Sequence, residues 1–435
     1  MRNIKTVFCL LMVGVAISPA EGSEPVSQKI TVNEAVQEAL KKNPIMRESQ
    51  ADIDAAKASK QSALADMLPQ ASFNYGYTYL REKPTQFDIQ VASQDQYAWD
   101  VTVIQPLFAG FALKSNFDLT RLNIGAQKLE KEQTRLDLIR QVKAACYNLL
   151  LSQKLLAVRN EEVQALTAHK HDAELIYEQG LVRMNDVLKA EVSLADATQG
   201  RELARAQLQK TKMSLNRLLQ RPLGTELQID APTPQTRLHF DSEELAQNAL
   251  LERPLIKLLD NSLEQLGLSR KLTRSSYYPT LSLFGRYEQN GDEWTATEND
   301  YSNYFNTSVG ITAEWKFWRS GKTGADVRRV KKEIEALSAR IDLFKDQVVE
   351  EVNHAVLDCE VAQSNIETAS KSLAQAEENW RITQKQYKHQ IATSTDVLDA
   401  RTYLSGADTN YYTAVYAYLD AVAALDRAVG QSSSE

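Results

Sequence analysis

Two aspartates three residues apart stand in the run Asp396-Val397-Leu398-Asp399-Ala400. At that spacing two carboxylates share one face of a helix, where they can attract cations and repel anions, or serve the helix N-terminus as cap and dipole partner. Asp186 opens the related run Asp186-Val187-Leu188-Lys189-Ala190 and suits the same capping role. Three other groupings invite a chemical reading and do not sustain it. Ser320-Gly321-Lys322-Thr323 matches the end of a phosphate loop, but Lys316 holds the position of the required first glycine, so no NTPase is expected. His169 and His171 are two apart, which turns them to different helical faces; they read as solvated surface, with no shared metal. Cys146 and Cys359, the two cysteines beyond Cys9, read as free buried thiols, too few for a zinc site built on cysteine. With no nucleophile-base pair, nucleotide loop or metal cluster, neither an enzyme nor a cofactor is expected.

The chain that must position these residues has 435 of them, 43% hydrophobic and 25% charged, enough for a large core. Its net charge of -7 leaves no electrostatic footprint for nucleic acid. Arg2 and Lys5 precede the apolar run Val7 to Ile17 and the small-residue site Ser18-Pro19-Ala20, so residues 1–20 read as a signal peptide. Beyond them no run of about 20 apolar residues occurs, and any membrane span must be built from strands.

All 11 prolines avoid two tracts, Leu107 to Arg221 and Thr280 to Glu435, which are therefore free to be long helices. Ile334, Leu337, Ile341, Phe344 and Val348 follow the alternating spacing of a coiled-coil seam, as Leu136, Ile139, Val142, Cys146 and Leu149 nearly do. The pairs Pro44/Pro254, Pro69/Pro279, Tyr177/Tyr387, Asp186/Asp396 and Arg217/Arg427 share one constant offset, which marks a duplication. The repeats run over 31–220 and 241–430, with a proline-containing linker at 221–240. Each repeat starts with short helices and continues through two strands into a long helix hairpin, about 110–219 in the first and 320–429 in the second.

The strands are expected at about 70–80, 97–108, 280–288 and 304–318. Phe73, Tyr75, Tyr77 and Tyr79 alternate with polar residues, and Tyr97, Trp99, Phe305, Val309, Ile311, Trp315 and Phe317 continue the odd-numbered apolar face. Strands of about ten residues, aromatic and apolar on one side and polar on the other, match an outer-membrane barrel. Four strands cannot close one, so several chains must share it, and three copies would give about 12 strands.

The duplicated unit, the strand-loop-strand module after each proline, Pro106-Leu107-Phe108-Ala109-Gly110, and Asp-Val-Leu-x-Ala after each helix tip resemble the TolC-type outer-membrane efflux proteins over the whole mature length. The resemblance implies a mostly α trimeric channel-tunnel: a shared transmembrane β-barrel carrying a periplasmic α-barrel of coiled-coil helices. It implies a passive exit duct that meets a periplasmic adaptor (membrane fusion) protein and an inner-membrane pump of RND or ABC type. By position Asp396 and Asp399 resemble the acidic constriction, Asp186 and Tyr387 the polar links that shut the entrance, and Gly180, Leu181 and Val182 the adaptor-binding turn. Ile391 stands at the matching place in the second tip, which lacks the glycine. Ala392 replaces the arginine of better-known members, leaving Arg183 or Lys388 for the lock. The competing reading is a periplasmic coiled-coil adaptor or tether with no strands in lipid.

Overall fold

The structure, a computed structural model, describes residues 29–232 and 240–431. The expected signal peptide, Cys9 and Pro234 lie outside the described residues. After β1 (Lys29–Ile30), helix α1 (Val32–Lys42) starts in a reciprocal cap: the Glu34 amide donates to Thr31 Oγ1 at 3.2 Å and the Thr31 amide donates to the Glu34 carboxylate at 2.7 Å. Pro44 cannot continue α1 but suits the first turn of a new helix, so α2 (Pro44–Ala65) follows directly, capped by Asn43.

Then come β2 (Gln70–Tyr79), the small hairpin β3 (Thr85–Gln86) and β4 (Ile89–Gln90), β5 (Asp95–Ala109), α3 (Ala112–Glu178) and α4 (Met184–Leu218). Strand β6 (Gln228–Ile229) pairs in parallel with β1, and Leu227 and Ile229 are buried, so the described part of the linker is docked. The second half repeats the plan with α5 (Ser242–Glu252), α6 (Pro254–Arg274), β7 (Thr280–Gly291), β8 (Phe305–Glu314), α7 (Lys322–Lys388) and α8 (Ser394–Val429). At 67 residues each, α3 and α7 are about 100 Å long. No described helix is long and apolar enough to cross a membrane.

Each long helix buries its apolar stripe where the short helices cross its middle. Val142, Cys146, Leu149 and Leu215 form one core with α1; Val352, Val356, Cys359 and Leu425, at equivalent repeat positions, form the other with α5. Both cysteines are free, and burial pushes each thiol up to about 12, far from thiolate reactivity. The halves are tied together at this level: Arg427 of α8 donates to Asp137 of α3 at 2.8 Å and to Glu351 of α7 at 2.6 Å.

The four long strands form one antiparallel sheet in the order β2-β5-β7-β8, and its outer members β2 and β8 each leave one edge unpaired. One face is an aromatic ladder running Phe73, Trp99, Tyr287, Phe305, with neighbouring rings 5.5–6.4 Å apart. The other is polar: Thr102 and Arg286 donate to Asp100, and Asn306 donates to Glu288. It lines a trough of about 540 Å³.

Three details depart from strict alternation. Ile104 and Phe284 are apolar on the polar face, where Phe284 lies across Gly310; a Cβ there would come within 2.9 Å of the ring. A bulge between Pro106 and Phe108 sets Phe108 opposite Leu281. Strand β8 stops at Glu314, short of the expected 318, because its partner β7 begins at Thr280 just after Pro279; Trp315, Phe317 and Trp318 have no strand to pair with and stay exposed.

At the junction into α3, Gly110 has φ +59°, and a Cβ there would meet the Ser275 carbonyl oxygen at 2.5 Å, so only glycine fits. Ser320 and Gly321 are left-handed before α7 as Gly110 and Phe111 are before α3, so the lookalike of a phosphate loop is this strand-to-helix junction.

Candidate functional site

The end of the helices remote from the sheet gathers most of the singled-out residues. Helix α3 turns into α4 through residues 179–183, and α7 turns into α8 through residues 389–393. Gly180 has φ +75° and its amide donates to the Tyr177 carbonyl at 2.8 Å, while the Leu181 amide donates to Ile176 at 3.2 Å, satisfying carbonyls at the helix end. A Cβ on Gly180 would meet nothing within 4 Å, so the backbone angle and not space selects glycine. The second tip makes the same turn without it: Gln390 takes φ +61° and donates to the Tyr387 carbonyl, and Ile391 donates to Gln386, both at 2.9 Å. Leu181 and Ile391 are exposed at the apices, with Val182 partly covered.

The helix starts differ. At α8 the Thr393 amide and hydroxyl both donate to the Asp396 carboxylate at 2.7 Å, and the Asp396 amide donates back to Thr393 Oγ1 at 3.2 Å. These bonds to Thr393 hold the Asp396 carboxyl below the ordinary aspartate range. Asp396 is therefore engaged in the cap yet remains exposed, as does Asp399 one turn on, while Val397 and Ala400 point inward. At α4 the equivalent start is Arg183, which makes no side-chain cap, so Asp186 does not play the capping role its sequence position suits.

Between the tips lies a cavity of about 440 Å³ bounded by Arg183, Asp186, Tyr387, Ala392 and Ser394 among others. The structure thus brings Asp186 and Tyr387 to one space, but the buried Tyr387 hydroxyl has no hydrogen-bond partner, and the expected link is not closed within one chain. Of the two cations proposed for a lock, Arg183 borders this cavity and Lys388 does not. Burial raises Tyr387, and the charges of Asp172 and Asp186 add to the effect.

His169 corrects the sequence reading. It is 4% exposed, not solvated: its Nε2 lies 2.9 Å from Ser394 Oγ, and its ring centroid is 4.8 Å from that of Tyr387, edge to face. Burial lowers its basicity, and Asp172 opposes this by a smaller amount. His171 is exposed, as expected. The spacing argument excluded a metal pair without showing which ring turns inward, since that depends on a helix 225 residues away. Among the described residues no cluster of His, Cys, Asp and Glu could hold a metal ion.

Comparison with known proteins points the same way over both halves. The sequence model of a family described as outer membrane efflux protein matches residues 35–220 and 245–431. The outer membrane protein TolC of Salmonella enteritidis is 22% identical over 424 residues, covering 94% of this chain and 83% of that one. The outer membrane efflux protein BepC of Brucella suis is 20% identical over 406 residues, covering 90% and 85%. Among solved structures, the Campylobacter jejuni CmeC outer membrane channel superposes with a TM-score of 0.80 at 14% identity, over 100% of this chain and 95% of that one.

Proposed function

This chain belongs to the outer membrane efflux protein family and is an outer-membrane exit duct, and from that premise we propose a specific way of working. Three copies join edge to edge through β2 and β8 into one barrel, and their helix hairpins continue it as a tunnel into the periplasm. Cargo enters at the helical tips from an inner-membrane pump through a periplasmic adaptor. The adaptor meets the apices around Gly180, Leu181, Val182 and Ile391; the exposed Asp396 and Asp399 ring the narrowest point and favour cations. Asp186 and Tyr387 take part in closing it, and opening shifts one hairpin against the other.

One observation supports this reading above the rest. A four-stranded sheet with an aromatic outer face and two open edges is stable in lipid only if other copies supply the missing strands. A periplasmic tether has no use for such a face.

The test is photo-crosslinking in cells from reactive residues placed at Leu181 and Ile391, with the trimer followed in the outer-membrane fraction. Capture of an adaptor together with a pump is the expected result and identifies the pump class. Trimers that trap no adaptor from either apex would overturn the tip assignment.

A further inference from the structure

The buried contact between His169 and Ser394 joins the two hairpins of one chain at the end where the tunnel is proposed to close, and the tip assignments made from sequence do not use it. His169 lies on α3, nine residues before the end of that helix, and Ser394 is the first residue of α8. The pair sits 2.9 Å apart, with both residues under 5% exposed. Tyr387 of α7 packs against the same ring, edge to face. Three helices therefore meet on one imidazole; Tyr387, whose buried hydroxyl is unpartnered, and Ser394 border the same cavity.

We propose that His169 and Ser394 form a latch between the first and second hairpins, and that protonation of His169 releases the second hairpin and favours an open tip. The inference rests on the reading of the tips as the tunnel entrance. A neutral imidazole and a hydroxyl can exchange donor and acceptor roles, so either tautomer satisfies the contact. An imidazolium in the same place is a buried charge without a paired carboxylate, and water must reach it to offset the cost.

The groups around the ring bear this out. On α3 Asp172 stands one turn away and acts on the ring as a charge without a hydrogen bond to it. On α4 Asp186 acts on Tyr387, and Lys189 is held by Thr395 at 3.3 Å. In the turn, Arg183 borders the cavity that Ser394 also borders. Helix α7 offers the neutral Tyr387 and α8 the neutral Ser394. Because burial lowers the basicity of His169 in the closed state, the open state binds the proton more tightly. Closed-state stability is then fully present above the ordinary imidazole range of about 6.5 and is lost as pH falls below it.

The experiment uses the full-length trimer in planar lipid bilayers, with the tip side taken from about pH 7.5 to about pH 5.5, beside amide hydrogen exchange over residues 394–400 corrected for intrinsic rates. In the unaltered protein acidification should raise conductance severalfold and loosen those amides. His169→Gln keeps a hydrogen-bonding amide but cannot titrate, and should lose both responses. Ser394→Ala keeps the titrating ring without its partner, and should start more open at neutral pH. An unchanged pH response in His169→Gln would overturn the latch while leaving the duct intact. Absence of conductance with an exchange response that vanishes in His169→Gln would overturn the duct and leave the latch standing.

Discussion

At the first tip the chain turns through Gly180 and starts α4 at Arg183; at the second it turns through Gln390 and starts α8 at Thr393. The backbone path is the same, but the local stability lies on opposite sides of the apex. The first tip has the residue its left-handed turn prefers and then no side-chain cap. The second holds glutamine where a side chain costs about 1–2 kcal/mol and recovers stability in a reciprocal Thr393-Asp396 cap. The two halves thus share a shape and hold it by different local means. Asp186 is left without a capping duty beside the open hydroxyl of Tyr387, whereas Asp396 is tied to its own helix start.

The largest contrast should appear in conduction. Asp396→Ala with Asp399→Ala should lower cation-over-anion selectivity of trimers in bilayers by on the order of tenfold, because the proposed ring of exposed carboxylates is removed. Asp186→Ala removes a half-buried charge facing the inter-tip cavity and should change selectivity far less. Equal effects from the two would erase the distinction between the tips.

Next come the turns themselves. Gly180→Ala should destabilise the first tip by about 1 kcal/mol through the positive φ alone, since space for the methyl exists. Gln390→Gly should gain a similar amount at the second, less the added freedom of the unfolded glycine. Amide exchange at 177–183 and 387–393 reads both, and opposite signs are required. At the helix starts, Thr393→Ala should cost about 1 kcal/mol, whereas Arg183→Thr should add a few tenths or more by supplying the missing acceptor. If Thr393→Ala proves neutral in the same exchange experiment, the cap is not what steadies the second tip.

Much of this architecture was legible in the residues, because its signals are local or periodic. Proline positions bound the long helices, odd-even alternation gives the aromatic face of the sheet, and the constant repeat offset aligns Val142 with Val352 and Asp186 with Asp396. What escaped depends on contacts between distant segments. His169 is buried by Ser394 and Tyr387 from the other repeat, and no spacing on its own helix reports them. The early end of β8 follows from where β7 begins. Gln390 in a left-handed turn offers no composition signal, since glutamine is not a turn former; only its alignment with Gly180 gives it away. Thr393 is different: the sequence already offers Asp396 as a cap partner beside its pore reading, and threonine three residues before it is the other half of that cap.

The smallest effect tests that cap directly. Its hydrogen bonds from Thr393 hold Asp396 below the ordinary aspartate value of 3.8, so the folded state binds this proton less readily than the unfolded chain. Stability from the group is therefore present above that value and is lost as pH falls through the lower, folded one. Amide exchange over the first turn of α8 should quicken below about pH 4, beyond the change in intrinsic rate. Asp396→Asn should flatten this step, and Thr393→Val, which removes the hydroxyl but not the backbone donor, should shrink it and move it toward the ordinary value. A step that persists unchanged in Asp396→Asn would have to come from a carboxylate elsewhere, and Asp396 would then be free to act as a pore charge in the same way as Asp399.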